Sequence, residues 1–282
     1  MNNYDCGYLY VANQEKFIHE SLISARSLKR FTKYPCALVT TEAAVGQFDV
    51  SVFDQICYVS KLQNYTYLAK IIGLLNTPFE KTIFLDCDTF ICTDIDELFD
   101  LTDIVDIATT QEPKKHTSTL PDIQYKNIFP EFNSGVIVIR KNPTTLKLLH
   151  DWLEVCRSHG LRVDMPGLRE AILKNLNDIK FSILPEEYNC HGFQTMVALY
   201  GQVKVIHERL GNNWRTLTPY FQSFEWMERF SQRVNKITYK RIYIPGLGII
   251  PYNWNIQSML FKIKKLVGLK LTSKRYYYMR GK

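Results

Sequence analysis

The stretch Thr82-Ile83-Phe84-Leu85-Asp86-Cys87-Asp88-Thr89-Phe90-Ile91 constrains this 282-residue chain more than any other. An apolar, strand-like run ends directly in two acids spaced i, i+2. In an open α/β sheet, ligands bind just beyond the carboxyl ends of the strands, so these acids emerge where a ligand sits. Alternation sends Asp86 and Asp88 the same way if the strand continues, or a turn converges both on one ion. Hard oxygen ligands suit Mg²⁺ or Mn²⁺, which keep waters and take further ligands from substrate phosphates. The alternative is a solvated turn, since Asp favours turns. The acid-rich, apolar-stepped run Cys92-Thr93-Asp94-Ile95-Asp96-Glu97-Leu98-Phe99 follows at once and marks a compact strand–turn–helix edge.

Around that edge the pattern alternates. Tyr8 to Ala12 reads as a first strand, and Phe17, Leu22, Ala25 and Leu28 then share one helical face. Strands are predicted over 36–40, 56–59, 104–108, 135–139, 181–184 and 203–206. Leu68 to Leu75 reads as a helix carrying Lys70. Asn142-Pro143 supplies a cap and a proline at the first position of another helix, with Leu146, Leu149, Trp152 and Cys156 as its stripe. Pro166 opens a further helix through Leu176. Strands alternating with helices predict an α/β fold, a mostly parallel sheet covered on both faces.

Hydrophobic content of 46% and charged content of 22% fit a globular protein with a sizeable core. The seven cysteines are odd in number, scattered and without a CxxC pair, so a reduced, cytoplasmic protein is expected, with neither a zinc site nor a disulfide framework. No run approaches the roughly 18 apolar residues of a membrane span. The net charge of +7 is unevenly spread: residues 211–282 hold 14 of the 35 Lys and Arg but only 2 of the 28 Asp and Glu. The partner of that segment is therefore expected to be anionic.

The chain resembles the metal-dependent nucleotide-sugar glycosyltransferases of the GT-A fold, particularly the glycogenin-like family 8 group. The resemblance runs through most of residues 4–215. It rests on Tyr8-Leu9-Tyr10-Val11-Ala12-Asn13, Pro78-Phe79-Glu80 leading into Phe84-Leu85-Asp86-Cys87-Asp88, and Phe132-Asn133-Ser134-Gly135-Val136. It continues through Leu184-Pro185-Glu186-Glu187-Tyr188-Asn189 and Val205-Ile206-His207. What it implies is a GT-A catalytic domain over 1–215, Rossmann-like, followed by a basic, aromatic extension over 216–282 that includes a helix. It implies transfer of a sugar from a nucleotide-diphospho-sugar, UDP-linked, with retention of configuration. Asp86, Asp88 and His207 would be the metal ligands, and the nitrogen among oxygens tilts the choice to Mn²⁺ over Mg²⁺.

Further roles are carried over residue by residue. Lys70 stands where the family places a cation for the diphosphate, and Val11, Ala12 and Asn13 where the nucleoside docks. Asp86 also contacts the nucleotide, and Gly211 lies in the glycine-containing segment after the histidine. That segment departs from the family pattern: here it reads His207-Glu208-Arg209-Leu210-Gly211-Asn212-Asn213-Trp214-Arg215, without the expected Lys-Pro. Asn133, Ser134 and Gly135 are candidate contacts to the donor sugar, Gly by close backbone approach and Asn by offering donor and acceptor. Asp164 matches the acid of an Asp-Gln pair whose second member is here Met165. Glu187 stands for the acid in a loop where the acceptor would be oriented, with Glu186 the other choice.

Ile256, Met259, Leu260, Ile263, Leu266 and Val267 fit a helical stripe, and residues 253–282 hold eight Lys and Arg and no acid. That suits peripheral contact with an anionic membrane on its inner face, or a helix packed on the catalytic domain with a solvated basic side. The acceptor, whether glycan, lipid-linked or protein, is open, and no nucleic-acid motif accompanies the basic segment. Two rival readings are a non-catalytic sugar-nucleotide-binding module and a haloacid-dehalogenase-type phosphohydrolase, in which the first Asp would be a nucleophile.

Overall fold

The computed structural model describes residues 5–64, 67–112, 128–161, 163–190, 198–199, 202–207, 223–236, 241–244 and 248–251. Gly211 and the segment 252–282, with its apolar stripe, lie outside the described residues.

Seven strands form the central sheet: β1 (Cys6–Ala12), β2 (Cys36–Thr40), β3 (Gln55–Tyr58), β4 (Lys81–Leu85), β6 (Ile107–Gln111), β7 (Phe132–Arg140) and β8 (Phe181–Ile183). Their order is β3-β2-β1-β4-β7-β6-β8. Four of the neighbour pairs are parallel, and β7 alone runs antiparallel to both of its neighbours, β4 and β6. The expected mostly parallel α/β sheet is present, with that one reversed strand in it. A short strand β5 (Thr89–Ile91) leaves this sheet and pairs antiparallel with β10 (Val205–His207), and β9 (Ala198–Leu199), β11 (Arg241–Ile244) and β12 (Gly248–Pro251) form a third sheet.

The near-continuous apolar runs of the central strands follow from burial on both faces. Along β1, Leu9 and Val11 face a core shared with helices α3 (Ala69–Leu75), α5 (Pro143–Ser158) and α6 (Met165–Asn175). Tyr8, Tyr10 and Ala12 face the opposite core, against α1 (Glu15–Leu28) and the single turn α4 (Leu98–Leu101); a second single turn, α2 (Glu42–Val45), caps β2. Asn142 caps α5 as expected, its side chain accepting from Thr145 N while Thr145 Oγ1 accepts from Asn142 N, and Pro143 is the first helical residue. The buried stripe of α5 runs through Leu148, Leu149, Trp152, Leu153 and Cys156, with Leu146 only half-buried.

The strand predicted over 104–108 begins later. Ile104 closes a turn, donating to Leu101 O, and is 67% exposed. Asp106 fixes the start of β6: its carboxylate accepts from Arg140, Asn142 and Lys180 N, and its own N–H donates to Lys180 O. Helix α7 (Phe224–Lys236), in the basic C-terminal third, is seated on the α/β unit. Its Met227 and Val234 are buried with Ile23, Phe90, Cys190, Val203 and Ile206, and Arg30 pairs with Glu228 at 2.9 Å. None of the seven cysteines is in a disulfide. Among the described residues no helix is long and apolar enough to cross a membrane.

Candidate metal centre

The site is built where β4 ends. Asp86 N donates to Gly135 O of β7 at 2.8 Å, the last rung of the β4–β7 ladder. The chain then turns tightly, Thr89 N and Thr89 Oγ1 both bonding Asp86 O. Asp86 and Asp88 emerge together into a cleft also lined by Val11, Asn13, Tyr67 and Lys70, while the Cys87 thiol donates to Val11 O at 3.3 Å, packed in the core.

His207 arrives from 119 positions further along the chain. The antiparallel register of β5 with β10 sets His207 opposite Thr89, one residue past Asp88. Its Nε2 lies 3.3 Å from Asp88 Oδ1 and 3.6 Å from Asp86 Oδ2. The three candidate ligand atoms fall within 4.8 Å of one another. Ligands on an ion at ~2.1 Å in octahedral geometry are separated by ~3.0 Å when adjacent and ~4.2 Å when opposite, so these spacings suit a shared divalent cation. Two carboxylates and one imidazole are a donor set for Mn²⁺ or Mg²⁺ rather than for a soft metal.

Gly135 makes room for the imidazole. A Cβ on it would stand 2.1 Å from His207 Cε1 and 2.2 Å from Nδ1. The glycine is required for close approach, but what approaches is the imidazole of His207.

Lys70, on the first turn of α3, points into the acidic cluster. Its Nζ is 2.8 Å from Asp86 Oδ2, 2.9 Å from Ser134 Oγ and 3.6 Å from Asp164 Oδ2. Ser134 Oγ donates in turn to Asp164 Oδ2, and Trp152 Nε1 holds the Asp164 carbonyl at 2.9 Å. Burial alone would lower the Lys70 pKa, but Asp164 and Asp86 beside it push the ammonium upward. Burial raises the Asp86 carboxyl even against the pull of Lys70 and His207. Burial works downward on His207, and the charge and hydrogen bond of Asp88, with Asp86 behind them, reverse it to a net rise. Without a cation, a protonated imidazole is the positive charge that this pocket favours.

The other sequence candidates separate. Asn133 is 4% exposed and its amide is committed: Oδ1 accepts from Gly135 N and Asn189 Nδ2, and Nδ2 donates to Glu112 Oε2. Val11 and Asn13 line the cleft, Asn13 Nδ2 donating to Leu62 O, whereas Ala12 is fully buried. Glu187 sits on a 3₁₀ turn whose carbonyl accepts from Lys204 N, on the chain leading into β10. Asn189, two residues on, was not among the expected site residues, yet its Oδ1 lies 2.8 Å from His207 Nδ1. Only its place at the end of the Leu184–Asn189 run signalled it.

No model of a known protein family matches the chain. Human glycogenin-2 is 25% identical over 174 residues, which span 55% of this chain and 31% of that protein. The chain thus spans about a third of the length of this curated relative. Among solved structures, mouse xyloside xylosyltransferase 1 in its apo form superposes with a TM-score of 0.50 at 16% identity, over 76% of this chain and 100% of that one. The glycosyltransferase GlyE of Streptococcus pneumoniae TIGR4 gives 0.52 at 14% identity, over 80% of this chain and 60% of that one. The fold is that of the GT-A glycosyltransferases. Within the GT-A frame the strand-end acids, the reversed strand β7 and the histidine on β10 meet at one edge of the sheet, and the resemblance drawn from the motifs and the likeness drawn from the fold agree.

Proposed function

We propose that the protein is a metal-dependent glycosyltransferase that moves a sugar from a nucleotide-diphospho-sugar, UDP-linked, to an acceptor with retention of configuration. One observation carries this reading: two carboxylates and an imidazole, drawn from β4 and β10, lie within 4.8 Å of one another at the ligand-binding edge of a GT-A fold. Asp86, Asp88 and His207 would hold Mn²⁺, or Mg²⁺ in its place. When bound, the ion supplies Lewis-acid stabilisation of the charge that builds on the departing diphosphate.

The chain's own residues prepare that chemistry. Lys70 bridges Asp86 and Asp164, its ammonium 2.8 Å from one carboxylate and 3.6 Å from the other. Val11 and Asn13 border the cleft on the side assigned to the nucleoside, while Ser134 and Asp164, assigned to the sugar, lie buried behind Lys70. Glu187 is the residue we assign to orienting the acceptor, and Gly211 to the nucleotide. Retention is taken from the family resemblance, and with Asp164 and Asp86 engaged by Lys70 a front-side substitution fits it better than a covalent glycosyl-enzyme.

The test is release of UDP from UDP-sugars by purified protein, with Mn²⁺, with Mg²⁺ and with chelator. We expect metal-dependent turnover that Asp88→Ala abolishes while the circular dichroism spectrum is unchanged. Undiminished turnover in that variant overturns the assignment. Tight UDP-sugar binding with no UDP release would favour a non-catalytic module instead. We further place the protein in the cytoplasm, its basic C-terminal segment touching anionic membrane. Co-sedimentation with phosphatidylserine vesicles at low salt that survives truncation at residue 255 would refute that contact.

A further inference from the structure

His207 is one end of a buried polar chain whose orientations are all fixed by groups with no freedom. Gly135 N–H is an obligate donor, and it bonds Asn133 Oδ1 at 2.9 Å. The Asn133 amide is thereby oriented, and its Nδ2 donates to the Glu112 carboxylate at 2.7 Å. Asn189 must then present its own Nδ2 to Asn133 Oδ1, at 2.9 Å, and the same nitrogen reaches Thr110 Oγ1 at 2.9 Å. Its Oδ1 is left facing His207 Nδ1 at 2.8 Å. An amide oxygen only accepts, so Nδ1 carries a proton. Nε2, turned to Asp86 and Asp88, is then the nitrogen whose lone pair a neutral ring would present to a cation. Glu112, Thr110, Asn133 and Asn189 are each at most 4% exposed, so solvent does not substitute for any link.

We infer that Asn189 is a positioning residue that selects the Nδ1–H tautomer and ring orientation of His207, preparing Nε2 to bind a divalent cation. The Glu112–Asn133–Asn189 chain is what holds Asn189 in that orientation. Four segments contribute, the ends of β6 and β7, the turn before Cys190 and strand β10, so the device exists only in the folded protein. The inference rests on the proposed metal reading, but its first test does not need the metal. Outer-shell partners of metal-binding histidines commonly change metal affinity about 10–100-fold when removed.

Histidine-¹⁵N-labelled, metal-free protein, taken up in pH until the His207 ¹⁵N signals show a neutral ring, reports the tautomer directly through long-range proton–nitrogen couplings. We expect Nδ1–H for His207 in the wild type and a shift toward Nε2–H in Asn189→Leu. An Nε2–H wild type, or an unchanged tautomer in the variant, overturns the inference. Mn²⁺ titration followed by the paramagnetic resonance of the free ion then ranks three proteins. Asn189→Leu should bind at least 10-fold more weakly than wild type, and Asn189→Asp should retain more affinity, because a carboxylate still accepts from Nδ1–H. A merely structural role predicts the reverse ranking, since a buried carboxylate facing Asn133 Oδ1 destabilises the fold more than Leu of similar volume. Wild-type protein with no measurable Mn²⁺ binding but the expected tautomers would defeat the metal reading and leave the positioning role standing.

Discussion

Gly135→Ala is the substitution whose consequence the structure specifies most closely. The added methyl would stand 2.1 Å from His207 Cε1, 2.2 Å from Nδ1 and 2.9 Å from Nε2. Carbon–carbon contacts settle near 3.5 Å, so the ring must retreat by about 1.4 Å or the β7 backbone must move by as much. Metal–ligand distances tolerate only about 0.2 Å, so the displacement is several times what a coordinated imidazole allows. It would also break the 2.8 Å bond to Asn189. Overpacking of this kind destabilises by about 1–3 kcal/mol, roughly 2–8 °C in melting temperature for a chain of this size. The effect on metal should be larger. At Mn²⁺ concentrations 100 times the wild-type Kd, binding stabilises the native state by ~2.7 kcal/mol, and a 100-fold loss of affinity cuts that to ~0.4 kcal/mol. The assay is thermal unfolding of both proteins with saturating Mn²⁺ and with chelator. Gly160→Ala is the control: it also adds a methyl, at φ +58° with nothing within 4 Å, so it should cost about 1–2 kcal/mol of backbone strain and leave the Mn²⁺ shift intact. A Gly135→Ala protein with the full wild-type Mn²⁺ shift would refute the placement of His207 as a ligand packed on β7.

Two further outcomes follow from the charge arrangement. Lys70→Ala removes the cation between Asp86 and Asp164 and should destabilise the metal-free protein by about 3–5 kcal/mol in urea denaturation, because two partly buried carboxylates are left facing each other; a loss below about 1 kcal/mol would contradict the buried pairing. Asp151, where α5 meets α6, has a carboxyl that burial would raise, but hydrogen bonds from Lys174, Asn175 and Lys147 bring it down to about 2 from an unfolded value of 3.8. A depressed carboxyl stabilises above its unfolded pKa, and that contribution is lost as pH falls from about 4 to 2. Both lysines are more than half exposed, so solvent screening limits it to about 1 kcal/mol. Asp151→Asn should therefore lose that amount at pH 7 and nothing near pH 2, and equal losses at both pH values would show that the effect is not the charge.

Local chemistry wrote much of this protein into its sequence. An apolar strand running into Asp86 and Asp88 places two carboxylates at a sheet edge, and the tight turn after β4 keeps both on the cleft side. The cap at Asn142 and the proline after it start α5 by backbone sterics alone. Lys70 was legible as a cation near the acids through the family resemblance, which places one on the helix before that strand. Long-range pairing decided the rest. Nothing local to Val205-Ile206-His207 says which residue it will face; the β5–β10 register does, and it brings His207 to Asp88 across 119 positions. The reversal of β7 is equally non-local, and it alone puts Asn133, Ser134 and Gly135 beside the end of β4. Asn133 and Gly135, read singly, suggested a sugar contact and a free backbone approach; the fold spends the Asn133 amide on Glu112 and Asn189 and the Gly135 gap on an imidazole. Side-chain identity sets what a residue is able to bind, but burial and register determine what it meets, and both are properties of the assembled sheet rather than of any segment within it.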